Sequence, residues 1–266
     1  MSRVLIAGCG YLGQAAATLF AARGWEVIGV THSPQPDMVC ADISDAATLA
    51  GLPACDVVVH CASSRRGGAA EYQRVYLDGA RNLASVFAPA RLIFTSSTSM
   101  YAQNDGSVVT EESPSEPQRE PGRVLREAEE LVLASGGCVA RLAGIYGPER
   151  SVLLRKFFSG EAVIEGDGGR VVNQIHRDDA ASALVQLATE NAAGIFNVCD
   201  DTPLTQREVF AWLADHFQRP LPPAGPVDLN RKRGVTSKRV SNAKLRALGW
   251  APQWPSFREA VAGGAT

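Results

Sequence analysis

Residues 4–13 read VLIAGCGYLG, an apolar run that breaks into Gly8-x-Gly10-x-x-Gly13. Three glycines at this spacing allow a tight strand-to-helix turn and a close approach by a pyrophosphate. The free N–H groups of the following helix can then bind its oxygens. Alone the spacing is a weak signal, and context strengthens it. The helix-like QAAATLFAAR (14–23) follows, and the strand-like WEVIGVT (25–31) follows that, which starts a βαβ unit. A purely structural tight turn is the competing reading.

Outward from this unit the alternation continues. DVVVHCA (56–62), RLIFTSS (91–97) and CVARLAGIYG (138–147) read as apolar strands, with helix-like YQRVYLDGARNLASVFA (72–88) and RVLREAEELVLA (123–134) between them. The pattern predicts an α/β fold: a Rossmann-like, doubly wound parallel sheet with a small C-terminal substrate lobe. Residues 1–145 would form the main NAD(P)-binding Rossmann portion. Residues 146–266 would form a mixed portion that contributes late sheet elements, such as IFNVCD (195–200), and the smaller substrate lobe. The proline-rich, basic RPLPPAGPVDLNRKRG (219–234) reads as a loop.

Composition limits the function classes. A chain of 266 residues with 45% hydrophobic and 20% charged residues and a net charge of -2 suits a globular protein with no general attraction to nucleic acid. The basic tract also lacks interleaved aromatic residues for base stacking. The six cysteines form no CxxC pair, and no signal-peptide pattern or long uncharged apolar run occurs. A cytoplasmic location with reduced thiols and no membrane contact is the expectation.

Several residues are candidates for chemistry. At the end of the second strand, Thr31, His32 and Ser33 should meet the adenosine ribose, where no Asp or Glu stands to accept from a free 2′-hydroxyl. This favours NADP over NAD, although Arg23 is the only arginine nearby in sequence. Asp42 reads either as an adenine contact or as a cap of local backbone. His60 reads as a packing or orienting residue, and the absence of a surrounding ligand array predicts no metal. His176, with Asp178 and Asp179 close by, is a weaker acid/base candidate. NRKRG (230–234) and the SKR that follows (237–239) could contact a phosphate or be an ordinary solvated loop.

The glycine turn, ADIS (41–44), DVVVHCAS (56–63), RLIFTSSTSMYA (91–102), RLAGIYGP (141–148), GDGGRVVNQIHRDDA (166–180) and IFNVCD occur in an informative order. Together they resemble the extended short-chain dehydrogenase/reductases, in particular NAD(P)-dependent epimerase/dehydratase-like proteins that act on nucleotide sugars. The resemblance implies that Gly8, Gly10, Tyr11, Leu12 and Gly13 form the pyrophosphate turn. It also implies that Asp42 and Ile43 lie near adenine, that Ala62 and Ser63 flank the cofactor, and that Ser97 hydrogen-bonds a substrate oxygen.

The departures from the family matter as much. A tyrosine and a lysine four residues apart do the family's proton chemistry, but PGRVLREAEELV (121–132) puts Pro121 and Leu125 in those places. Residues 102–145 contain no tyrosine and no lysine, so no change of register recovers the pair. Thr98 and Ser99 stand where dehydratases carry acidic groups. Tyr101 is the first substitute for the catalytic role, against a packing role for its ring. The sequence therefore predicts an atypical NAD(P)-dependent oxidoreductase or epimerase acting on a nucleotide sugar or related small polar metabolite, with a homodimer among the assemblies it allows. A catalytically inactive NAD(P)-binding sensor or interaction protein is the alternative.

Overall fold

The computed structural model describes residues 1–64, 67–117, 119–229 and 235–266. A seven-stranded parallel sheet carries the molecule: β1 (Arg3–Ala7), β2 (Glu26–Thr31), β3 (Val39–Cys40), β4 (Val57–His60), β5 (Arg91–Ser97), β6 (Cys138–Leu142) and β7 (Gly194–Val198). The spatial order is β7-β6-β5-β4-β1-β2-β3, and every neighbouring pair is parallel. Chain order runs outward from β1 to one edge, then back to β4 and on to the other edge. The reversal lies between β1 and β4, where doubly wound sheets open a crevice at their carboxyl ends.

Alternation along the strands divides the core in two. Val4 and Ile6 of β1 face one layer with Phe20, Ala183 and Leu184, whereas Leu5 and Ala7 face the other with Leu83, Phe94 and Val132. Both faces are apolar because helices cover both. The first layer contains α1 (Tyr11–Ala22), and the second contains α2 (Glu120–Ala134). The helix expected over 72–88 forms, but not as one α-helix. A π-helical segment, Gln73–Asp78, is inserted between Ala69–Tyr72 and Gly79–Val86.

On α2, Val124, Leu125, Ala128 and Val132 are buried and Arg126 pairs with Glu130 at 2.9 Å on the exposed side, as the i,i+4 spacing predicts. Pro121 sits in the first turn, where its missing N–H costs nothing. One polar residue of the buried face was not anticipated. The carboxylate of Glu129 accepts from the Arg141 guanidinium at 2.6 Å and from the Ser96 hydroxyl, and Glu129 and Arg141 are each 2% exposed. This buried pair bolts α2 to β5 and β6.

A third apolar cluster joins Tyr146, Phe157, Ile164, Phe210, Leu213 and Phe257, all later in the chain than β6. Beside α1 in the first layer packs α3 (Arg177–Thr189), whose Asp179 carboxylate accepts from the Gln253 and Trp254 amides at 2.6 and 3.0 Å. Among the described residues, no helix is long and apolar enough to cross a membrane.

Candidate active-site cleft

At the carboxyl ends of β1, β2, β4 and β5 lies a cleft of about 870 Å³. Gly8, Gly10, Tyr11 and Leu12 line it from the glycine turn, Thr31, His32 and Ser33 from β2, Asp42 and Ile43 from the segment after β3, Ala62 and Ser63 from the end of β4, and Ser97 from β5. Gly13 is the one cofactor candidate outside the lining.

The glycines divide the work. Gly8 has φ +85, and a Cβ there would lie 2.3 Å from the Ala62 Cα, so the turn presses against the end of β4. A Cβ on Gly13 would lie 2.7 Å from the Gly8 carbonyl oxygen, so this glycine keeps α1 close to the turn. Around Gly10 nothing lies within 4 Å of the Cβ position. Gly10 is also the N-cap of α1, with no side chain capping the helix and no acidic residue in its first turn. The turn thus leaves an open cradle at an uncapped helix start, and a pyrophosphate fits both features.

At the β2 end, Thr31 is buried and donates its hydroxyl to the Ser33 carbonyl at 2.8 Å, which shapes the turn, while His32 is largely exposed. Asp42 does two jobs. Its Oδ1 accepts from the Ser44 amide and hydroxyl, and its Oδ2 accepts from Arg74 at 2.7 Å. Burial alone would raise its carboxyl, but the Ser44 hydrogen bonds and the Arg74 charge hold it below the usual carboxylate range. Arg74 also grips Glu71 through two nitrogens. Sequence reasoning missed Arg74 because it lies 32 positions from Asp42 in the chain.

At the other end of the cleft, Ser97 ends β5, is 6% exposed, and accepts from the Ser99 amide at 3.2 Å. His60 packs as expected. It is fully buried, donates Nε2–H to the Val75 carbonyl at 3.0 Å, and is pushed down to about 4 by burial, which that hydrogen bond only partly offsets. Among the described residues, no group of three metal-ligating side chains occurs.

Three candidates do not reach the cleft. Tyr101 is 0% exposed, donates its hydroxyl to Asn197 Oδ1 at 2.8 Å, and lies under the Arg141 guanidinium. Burial raises its pKa, so the expected catalytic substitute is a packing residue. His176 is 1% exposed, its Nδ1 accepts from the Asp178 amide, and its Nε2 donates to the Ala265 carbonyl. It caps α3 and ties down the C-terminal segment, leaving neither nitrogen for acid/base work. Lys238, from the basic SKR, is 4% exposed and donates to the Tyr101 carbonyl and the Thr236 hydroxyl. Burial pushes it down to about 8. NRKRG lies outside the described residues.

Two arginines complete the picture. The guanidinium groups of Arg150 and Arg177 stand over the Tyr11 ring, 5.0 and 5.1 Å from its centroid, and the Tyr11 hydroxyl donates to the Pro148 carbonyl. Arg150 also lines the cleft. Two cations therefore flank the glycine turn from the start of the later half of the chain.

This geometry agrees with what the chain is similar to. Protein YeeZ of Escherichia coli K12 is 32% identical over 224 residues, covering 75% of this chain and 78% of that protein. The solved structure of a NAD-dependent epimerase/dehydratase candidate from Methylobacillus flagellatus superposes with a TM-score of 0.82 at 30% identity, over 98% of this chain and 97% of that one. The human epimerase family protein SDR39U1, isoform 2, crystallised with NADPH, shares the fold with a TM-score of 0.83 at 21% identity, over 98% of each chain. Residues 4–199 match the NAD dependent epimerase/dehydratase family, and the chain belongs to that family as an atypical, extended short-chain dehydrogenase/reductase.

Proposed function

We propose that the protein is an NAD(P)-dependent oxidoreductase or epimerase that acts on a nucleotide sugar or a related small polar metabolite. One observation carries this reading: a single cleft joins the open Gly10 cradle, a β2 end without a carboxylate, and Ser97 at the carboxyl end of β5. The turn of Gly8, Gly10, Tyr11, Leu12 and Gly13 would hold the pyrophosphate, Asp42 and Ile43 the adenine, Thr31, His32 and Ser33 the ribose, and Ala62 and Ser63 the nicotinamide half. When bound, the cofactor supplies a hydride donor or acceptor. Ser97 then fixes the substrate oxygen by a hydrogen bond. The division at residue 145 belongs to the same proposal. The separate apolar cluster after Tyr146 supports a substrate lobe, while β7 returns to the sheet.

NADP is the favoured cofactor. No carboxylate ends β2, and Arg74 and the exposed His32 bring donors to that end of the cleft, though Asp42 and Glu71 already share the Arg74 charge. Fluorescence titration with NADPH and NADH tests both statements. NADPH is expected to bind more tightly. Markedly tighter NADH binding would overturn the preference, and binding of neither would overturn the function. A sugar-nucleotide panel, followed by oxidation or reduction of the nicotinamide, tests the substrate class, and no turnover with any member would reject it.

A further inference from the structure

The family's tyrosine and lysine are missing from α2, yet the wall opposite that helix face is not empty. Of the five tyrosines in the chain, Tyr101 and Tyr146 are buried away from the cleft, and Tyr11 is held at the glycine turn. The remaining two, Tyr72 and Tyr76, both line the cleft. They are four residues apart across the start of the π-helical segment, with ring centroids 4.9 Å apart. Both belong to the same apolar cluster as Val124, Leu125 and Ala128. The tyrosines thus pack against the α2 face from which the usual pair is absent, with Leu125 as part of their support.

The Tyr76 hydroxyl meets the backbone of Ser64. Its oxygen accepts from the Ser64 amide at 3.4 Å. The Ser64 hydroxyl, in a residue 6% exposed, is buried without a partner in the same cleft wall. An orphaned buried hydroxyl costs free energy unless a ligand satisfies it. The Tyr76 ring is held by Phe94 of β5 at 6.2 Å edge-on and by His60 at 6.4 Å. The π-helical segment that carries Tyr76 is a local irregularity of a kind often found at functional sites.

We propose that Tyr76 is the proton donor of this site, protonating the substrate oxygen held by Ser97 during reduction of a carbonyl. The proposal rests on the oxidoreductase reading above. Reduced NAD(P), when bound, would supply the hydride for the new C–H bond, and the C=O π pair would move to oxygen. The Tyr76 O–H bond breaks and its proton goes to that oxygen. The phenolate, steadied by the Ser64 amide, recovers a proton from water in the cleft. A phenol suits this direction. It is a competent acid toward a developing alkoxide but a poor base near neutral pH, so donation in this direction does not call for a lysine to activate it.

The test does not require the natural substrate. Phenolate formation is followed by near-ultraviolet absorbance during a pH titration of the whole protein, with and without saturating NADP⁺. A positive nicotinamide held in the cleft next to Tyr76 would lower one tyrosine ionisation by about one unit, the direction a nearby opposite charge imposes. Tyr76→Phe should abolish this shift while leaving NADPH affinity within about twofold, since the phosphate contacts are elsewhere. Tyr101→Phe should keep it. If Tyr76→Phe does not fold, the same shift is read by fluorine NMR of the parent labelled with fluorotyrosine, with Tyr76 assigned by elimination from single Phe variants of the other four. A parent that binds neither cofactor would overturn the oxidoreductase reading. A parent that binds NADPH but shows no shift, or a shift that survives in Tyr76→Phe, would overturn the role of Tyr76 alone.

Discussion

At the scale of single residues, the three glycines of one motif separate into two kinds. Gly8 and Gly13 are required by the protein's own packing, whereas Gly10 faces open space. Gly10→Ala should therefore fold with a thermal midpoint within a few degrees of the parent, yet bind NADPH at least about tenfold more weakly, roughly 1.4 kcal/mol. Gly8→Ala should instead lose stability outright, because its φ of +85 and the 2.3 Å approach to Ala62 leave no room for a methyl group. Calorimetry and fluorescence titration on the two variants would separate these effects. Equal NADPH affinity of Gly10→Ala and the parent would show that the cradle holds no ligand.

At the scale of elements, α2 has kept its structural role without the family's catalytic pair. Its attachment is the buried Glu129–Arg141 bridge, which also collects the Ser96 hydroxyl. Glu129→Ala would leave the Arg141 guanidinium buried without its partner and should cost about 3–5 kcal/mol in urea unfolding. Restoring the family pair should not restore a lysine-assisted site. Leu125 is 6% exposed within an apolar cluster, so an ammonium there must be desolvated, and the buried carboxylate four residues on, Glu129, is already held by Arg141. The Pro121→Tyr/Leu125→Lys double variant is expected to be less stable than the parent by about 2 kcal/mol or more. A variant as stable as the parent would mean that the α2 face is more open to water than its burial indicates.

At the scale of the whole molecule, stability should fall on mild acidification, and His60 supplies a defined part of the loss. Burial pushes its pKa down to about 4 in the folded protein, from about 6.5 for a free histidine, so between those pH values the unfolded chain binds more protons. Stability therefore rises with pH through this window and is lost as pH falls from 6.5 toward 4. The difference corresponds to roughly 2 kcal/mol lost between pH 7 and pH 5. Asp200 opposes this trend. It is 3% exposed and burial raises its carboxyl well above the usual range, so its contribution declines as pH rises. Comparing His60→Gln with the parent isolates the histidine: the variant should lose less stability between pH 7 and pH 5, and parallel curves would refute the assignment.

What the sequence determined by itself was the periodic and local part. Alternating apolar strands and helices, with a glycine turn after the first strand, implied the parallel sheet and its cradle, because those signals depend on neighbours within a few residues. The absence of tyrosine and lysine between 102 and 145 was equally firm, since no folding can supply a residue that the segment lacks. Only the tertiary structure decided which side chains meet. It buried Tyr101, His176 and Lys238, three candidates chosen by residue type, because strand ends and caps consume polar groups as readily as active sites do. It brought Arg74 to Asp42, and Tyr72 and Tyr76 to the cleft beside Leu125, through contacts between segments distant in the chain. Periodicity marks the face a side chain takes on its own element, but not what stands across from it.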